Sequence, residues 1–181
     1  SFQTELCPAI PVVKNNKEFR EHCRLLGRID FILHTGGVDF EVAAAYLEHV
    51  EGHAKQRLKP AARKRLARYA ERAMRCNILR HYLDESFVGL SRRIAESPVL
   101  QRFIGVMAMD EVKVPCKSLL QKYSKFLPAE KISSLVDKVV MLVRDNHAQI
   151  GLGDAVSTDE IFVDACCLEA NIHFPVDWLL L

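Results

Sequence analysis

Apolar positions recur along most of this chain at intervals of three and four, the period of a helix that buries one face. The stretch "VDFEVAAAYLEHVEGHA" sets Phe40, Ala43, Ala44, Leu47 and Val50 on one side, with Asp39 as its expected N-cap after Gly36 and Gly37. "KPAARKRLARYAERAMRCNILRHYLD" carries a stripe of Leu66, Tyr69, Ala70, Ala73, Leu79 and Tyr82. Pro60 suits its first turn, so the pattern predicts the longest helix of the chain, ending near Asp84. "ESFVGLSRRIAES" predicts a short amphipathic helix with Phe87, Leu90 and Ile94 inward. The next helix opens on Ser97 as N-cap and Pro98 at its first position. "PCKSLLQKYSKFL" is expected to start at Pro115 and to bury Leu119, Leu120, Tyr123 and Leu127, with Pro128 as its stop. A last helix, "PAEKISSLVDKVVMLVRDNHAQIG", shows a wide apolar face of Ile132, Leu135, Val136, Val139, Val140, Leu142 and Val143, closed by Gly151 and Gly153.

The pattern then changes. "EIFVDACCLEANIHF" is rich in strand-favouring residues and lacks a helical period, so two short strands are expected, with a break near Leu168 and Glu169. "PVDWLLL" reads as the opening of a helix capped by Asp177. An isolated hairpin is marginal in water. The strands therefore want partners, and the expectation is a chain cut inside a second domain. The predicted organisation is an N-terminal arm or linker over residues 1–37, a helical domain over 38–153, and the start of an incomplete α/β domain over 154–181. The fold class is mainly α.

Composition adds little until charge is mapped along the chain. The 181 residues are 49% hydrophobic and 27% charged, with a formal net charge of +2, ordinary for a globular protein. No apolar run approaches the ~18 residues that a membrane span needs, and no secretory signal is visible at the start. Six cysteines without a C-x-x-C pair read as reduced thiols and show no zinc spacing. A cytoplasmic protein is expected. The near-neutral total hides a division. Residues 55–80 hold ten Lys or Arg against one acid, Glu71, whereas residues 145–181 hold seven acids and no Lys or Arg. The first block suits a polyanion and the second suits cations.

Lys and Arg on one helix face neutralise phosphates and release counterions, which gives affinity without sequence readout. Arg63, Lys64, Arg68, Arg72 and Arg75 are the candidates on the long basic helix. The three short helices between Glu85 and Leu127 suggest a helix-turn-helix-like region whose third helix would offer Lys117, Gln121, Lys122 and Lys125 to phosphates or base edges. Spacing alone fits a plain helical bundle with a polar outer face equally well. His49 and His53 stand at i, i+4 and could share a metal, but the sequence places no further ligand beside them. Asp164 lies between "IFV" and "ACCL". An ionised Asp in a buried strand costs several kcal/mol unless paired or metal-bound. It is either a ligand for a hard cation such as Mg²⁺ or an edge residue facing solvent.

The segment "FVDACCLEANIHFPVDWLLL" resembles the first catalytic segment of DDE-type bacterial insertion-sequence transposases. In that family a strand ends in Asp-Ser-Thr or a close variant, and Glu-Ala-Asn-Ile-His-Tyr-Pro-Thr-Asp-Ser and a leucine-rich helix follow. Asp164, Glu169, Ala170, Asn171, Ile172, His173, Pro175, Asp177, Leu180 and Leu181 keep that register. Upstream, "ILRHYLDESFVGLSRRIAESPVLQRFIGV" and "VPCKSLLQKYSKFLP" resemble the helical N-terminal domain of the same group, so the resemblance covers roughly residues 77–181. It implies an RNase H-like catalytic core with Asp164 as first catalytic carboxylate and metal ligand. It also implies Mg²⁺ as cofactor, transposon-end duplex DNA as partner, and a homo-oligomer at full length. Hydrolysis at the ends and strand transfer by the freed 3′-hydroxyl would need a further Asp and Glu, for which this sequence offers no candidate beyond Asp177. Ala165, Cys166, Val176 and Trp178 depart from the pattern without touching the carboxylate. A non-enzymatic helical DNA-binding protein or a truncated transposase-derived competitor is the alternative, followed by a helical protein-interaction domain.

Overall fold

The computed structural model describes residues 13–53, 58–108 and 110–148. Seven helices and no strand occur among these residues. They are α1 (Lys17–Thr35), α2 (Val38–His53), α3 (Pro60–Leu83), α4 (Phe87–Glu96), α5 (Pro98–Phe103), α6 (Lys117–Tyr123) and α7 (Ala129–Asp145). The mainly α class holds for this region. The expected strands around Asp164, the cap at Asp177 and the closing glycines Gly151 and Gly153 lie outside the described residues. None of the described helices is long and apolar enough to cross a membrane.

Local chemistry sets most boundaries. Asn16 accepts from the Phe19 amide at 2.8 Å and starts α1. Ser86 and Ser97 cap α4 and α5 through Gly89 and Leu100, and Pro98 occupies the first turn of α5 as expected. Pro60 opens α3, the longest described helix, and Asp84 closes it in the left-handed region at φ 49°. The α1–α2 turn passes through Gly37 at φ +71°, a conformation that suits glycine.

The core lies where α3 meets α2, α4, α5 and α6. Ala70, Ala73, Cys76 and Leu79 of α3 are buried against Leu90, Ile94, Leu100, Phe103, Leu120 and Tyr123. The two alanines have no bulk beyond Cβ, which allows close helix approach there. Buried Gln101 donates to the carbonyls of Ile94 and Ala95, satisfying the end of α4 from within.

Four expectations need correction. Residues 17–35 lie in the stretch assigned to an arm, yet they form α1, whose Leu26 and Leu33 are buried in the core. Helix α2 starts at Val38, two residues earlier than an Asp39 cap implies, so Asp39 sits in its first turn and is not its cap. That helix buries Val38, Val42 and Ala43, leaving Ala44 exposed and Phe40 77% exposed. Apolar residues ring α2 on nearly every side, and its rotation is fixed partly by Glu41 and Glu48, which pair with Lys138 and Lys131 of α7. On α7 only Ile132, Leu135, Val139 and Leu142 of the predicted face pack on the core, while Val136 and Val140 are exposed. Finally, α6 begins at Lys117, and the Pro115 carbonyl accepts from Ser91 Oγ at 2.8 Å.

Candidate nucleic-acid interface

Helix α3 presents two kinds of surface to solvent. On one side it faces α1 and the start of α2. There the Arg75 guanidinium, only 12% exposed, donates to Asp39 (16% exposed) through two nitrogens and to Asp30, and also reaches the Phe103 carbonyl at 2.7 Å. Burial opposes this charge, but the bonds to Asp39 and Asp30 outweigh it and raise the Arg75 pKa. Arg75 also lies over the Phe103 ring, 5.1 Å from its centroid. Arg63 sits 3.1 Å from Glu51 on the same side, a Coulombic contact without hydrogen-bond alignment at Glu51 Oε1. Burial, then the nearby Asp39 charge, holds the Glu71 carboxyl above its ordinary range, against the pull of Arg75, Arg68 and Arg72.

The other side is built from Ala61, Lys64, Arg65, Arg68 and Arg72, spaced at three and four residues and therefore on one face. With Tyr69 and Tyr123 they line a groove of about 500 Å³. Arg72 is held by the Gly105 carbonyl at 2.7 Å, where Gly105 turns the chain after α5 at φ +67°.

Tyr69 also belongs to a second, wider groove of about 1230 Å³ between α2 and α6. Its α6 side carries Ser118, Gln121, Lys122, Ser124 and Lys125, and its α2 side carries Tyr46, His49, Val50 and His53, with Phe87 and Phe126 completing it. The aromatic rings form a connected stack: Tyr46 on Tyr69 at 5.4 Å, Tyr46 against Phe126 at 6.1 Å, and Tyr69 edge-on to Tyr123 at 4.9 Å. Burial raises the phenol pKa values of Tyr46 and Tyr69 and pushes Tyr123 up to about 12. Among the described residues, no Asp or Glu lines either groove.

The structure therefore brings together Lys64, Arg68 and Arg72 in one groove and Gln121, Lys122 and Lys125 in the adjoining one. It sets apart Arg63 and Arg75, whose charges are matched by acids. Exposed Lys117 stands in the first turn of α6 and lines neither groove. Asp164 lies outside the described residues. Sequence reasoning missed Arg65 as a groove residue, although its spacing from Lys64, Arg68 and Arg72 was available. It also read Tyr69 as core alone.

Helices α4 and α5 form where expected and α6 is shorter than expected at both ends, but residues 104–116 separate α5 from α6, whereas a helix-turn-helix uses a turn of about 3–4 residues. His53 Nδ1 lies 2.7 Å from the His49 carbonyl and the rings meet edge-on at 4.8 Å. No group of three or more His, Cys, Asp or Glu side chains able to hold a metal occurs among the described residues. Of the thiols, Cys76 is buried and its pKa is pushed up to about 12, whereas Cys116 is exposed and lowered by its hydrogen bond with Ser118. No family model, curated protein or solved structure matches the chain.

Proposed function

We propose that this chain binds duplex DNA through the α3 and α6 grooves, as the end-binding helical part of a DDE-type transposase. One observation carries the binding reading. Two adjoining grooves, joined at Tyr69, collect Lys64, Arg65, Lys122 and Lys125, and no described carboxylate lines them. Cations gathered without counter-charges suit a phosphate backbone, and hydroxyl and amide side chains such as Ser118 and Gln121 supply further phosphate or base-edge contacts. The helix-turn-helix-like reading of α4 to α6 is not needed for this.

The test is affinity for duplex DNA as a function of salt. About four phosphate contacts predict a slope of log K against log[salt] near −4. A flat dependence contradicts the proposal.

The catalytic part rests on the sequence resemblance at Asp164. In that reading Asp164 is one of three carboxylates around Mg²⁺ in an RNase H-like core, and the metal supplies activation of the attacking oxygen and stabilisation of the leaving one. Asp164→Asn in the natural gene product is expected to abolish Mg²⁺-dependent nicking of transposon-end DNA. Full retained nicking contradicts the assignment. The non-enzymatic reading shares the binding result and differs only in this second experiment.

A further inference from the structure

The wider groove has more than a duplex exterior calls for. A duplex presents phosphates and sugars outward and keeps its base faces stacked. Lysines on a convex surface suffice for that. Here the lysines stand on the rim of a recess that contains aromatic rings.

Burial separates the roles of these rings. Phe126 is 8% exposed and anchors the floor, while Tyr123, 4% exposed, packs edge-on against Tyr69 from the side of the α3 groove. Tyr46, Tyr69 and Phe87 are half-buried and line the groove, and the Arg80 guanidinium covers one face of Phe87, 4.3 Å from its centroid. Exposed Lys122 and Lys125 flank them from α6, with exposed Gln121 beside them. Basic side chains that track a backbone, interleaved with rings that accept base faces, form the general apparatus for single-stranded nucleic acid. At about 1230 Å³ the recess exceeds the 300–1,000 Å³ or so of ordinary small-molecule sites, which suits a chain better than a compact ligand. Tyr69 is common to both grooves, so a strand leaving the α3 groove enters this one directly.

We infer that the groove between α2 and α6 binds unpaired nucleotides, stacking bases on Tyr46, Tyr69 and Phe87 and holding their phosphates with Lys122 and Lys125. The site takes the single-stranded continuation of a duplex. This rests on the DNA-binding reading of the same surface and adds strand state to it.

The experiment compares a blunt duplex, the same duplex with a short single-stranded tail, and the tail strand alone, by fluorescence anisotropy at fixed salt. The tail is expected to raise affinity over the blunt duplex about tenfold. Tyr46→Phe should keep the gain and Tyr46→Ala should lose it. Because Tyr46 also packs on Phe126, a second readout uses the wild-type chain. A tail carrying 5-iododeoxyuridine is photocrosslinked, and the adducts should map to peptides containing Tyr46, Tyr69 or Phe87. Blunt-duplex binding with no gain from the tail overturns the inference and leaves the duplex reading standing. A gain that survives in Tyr46→Ala, with crosslinks elsewhere, also overturns it. Binding of the tail strand without the duplex supports the groove assignment and overturns the duplex reading.

Discussion

The two solvent-facing sides of α3 use the same residue type for opposite ends. Toward α1 and α2, Arg75 and Arg63 meet Asp30, Asp39 and Glu51, and the positive charges are neutralised within the chain. Toward α6, Lys64 and Arg65 line a groove to which the described residues contribute no acid, while Arg68 lines that groove and also the recess shared with Asp30, Asp39 and Glu71. The difference teaches that a basic helix is not one feature. Charge matched by carboxylates holds helices together, and charge with no carboxylate beside it is available to a partner. Arg72 stands between the two regimes. It lines the groove, yet its guanidinium also fastens the turn after α5.

The comparison breaks most visibly at Arg75. Arg75→Met leaves Asp39, 16% exposed, without its two-nitrogen partner and beside the Glu71 charge, and frees the Phe103 carbonyl. The expected loss is about 2–4 kcal/mol in urea unfolding, below the full cost of a deeply buried pair because Asp30 is 55% exposed. Its affinity for DNA, measured on the folded fraction, should barely change. An unaltered midpoint would show that Arg75 is not the node described. Arg63→Gln removes a half-exposed contact and should cost less than about 1 kcal/mol by the same assay.

Glu71→Gln is the gentlest probe, and its sign is fixed. The Glu71 pKa is raised in the folded chain, so the folded state takes up its proton at higher pH than the unfolded state. The charged form therefore costs stability above that pKa. The variant should be slightly more stable than wild type near neutrality, and the difference should close as the pH falls through the carboxylate range. A loss of stability at neutral pH would mean that attraction to Arg68, Arg72 and Arg75 outweighs burial.

Features governed by neighbours a few residues away could be read from the sequence. The start of α5 at Ser97 and Pro98 and the extent of α3 belong to this class. The rotation of α2 does not, because its apolar residues leave several faces equivalent until α7 supplies Lys131 and Lys138. The heptad spacing of Leu26 and Leu33 in α1 is legible in the sequence, although a proline-containing start with no clear period precedes it. The division of the basic block was hidden for a different reason. Asp30 and Asp39 lie 45 and 36 residues from Arg75 and meet it only through packing. The aromatic recess likewise joins Tyr46 of α2, Tyr69 of α3 and Phe126 after α6, which no local spacing announces. Asp164 remains a reading of sequence register alone.

The division of α3 is tested most directly by salt titration of duplex binding with two sets of variants. Changing Lys64, Arg65, Lys122 and Lys125 to Gln should reduce the slope of log K against log[salt] by about 3–4, at roughly 0.9 per lost phosphate contact. Arg63→Gln should leave the slope at its wild-type value. Equal reductions from both sets, or no reduction from the groove set, would contradict the account.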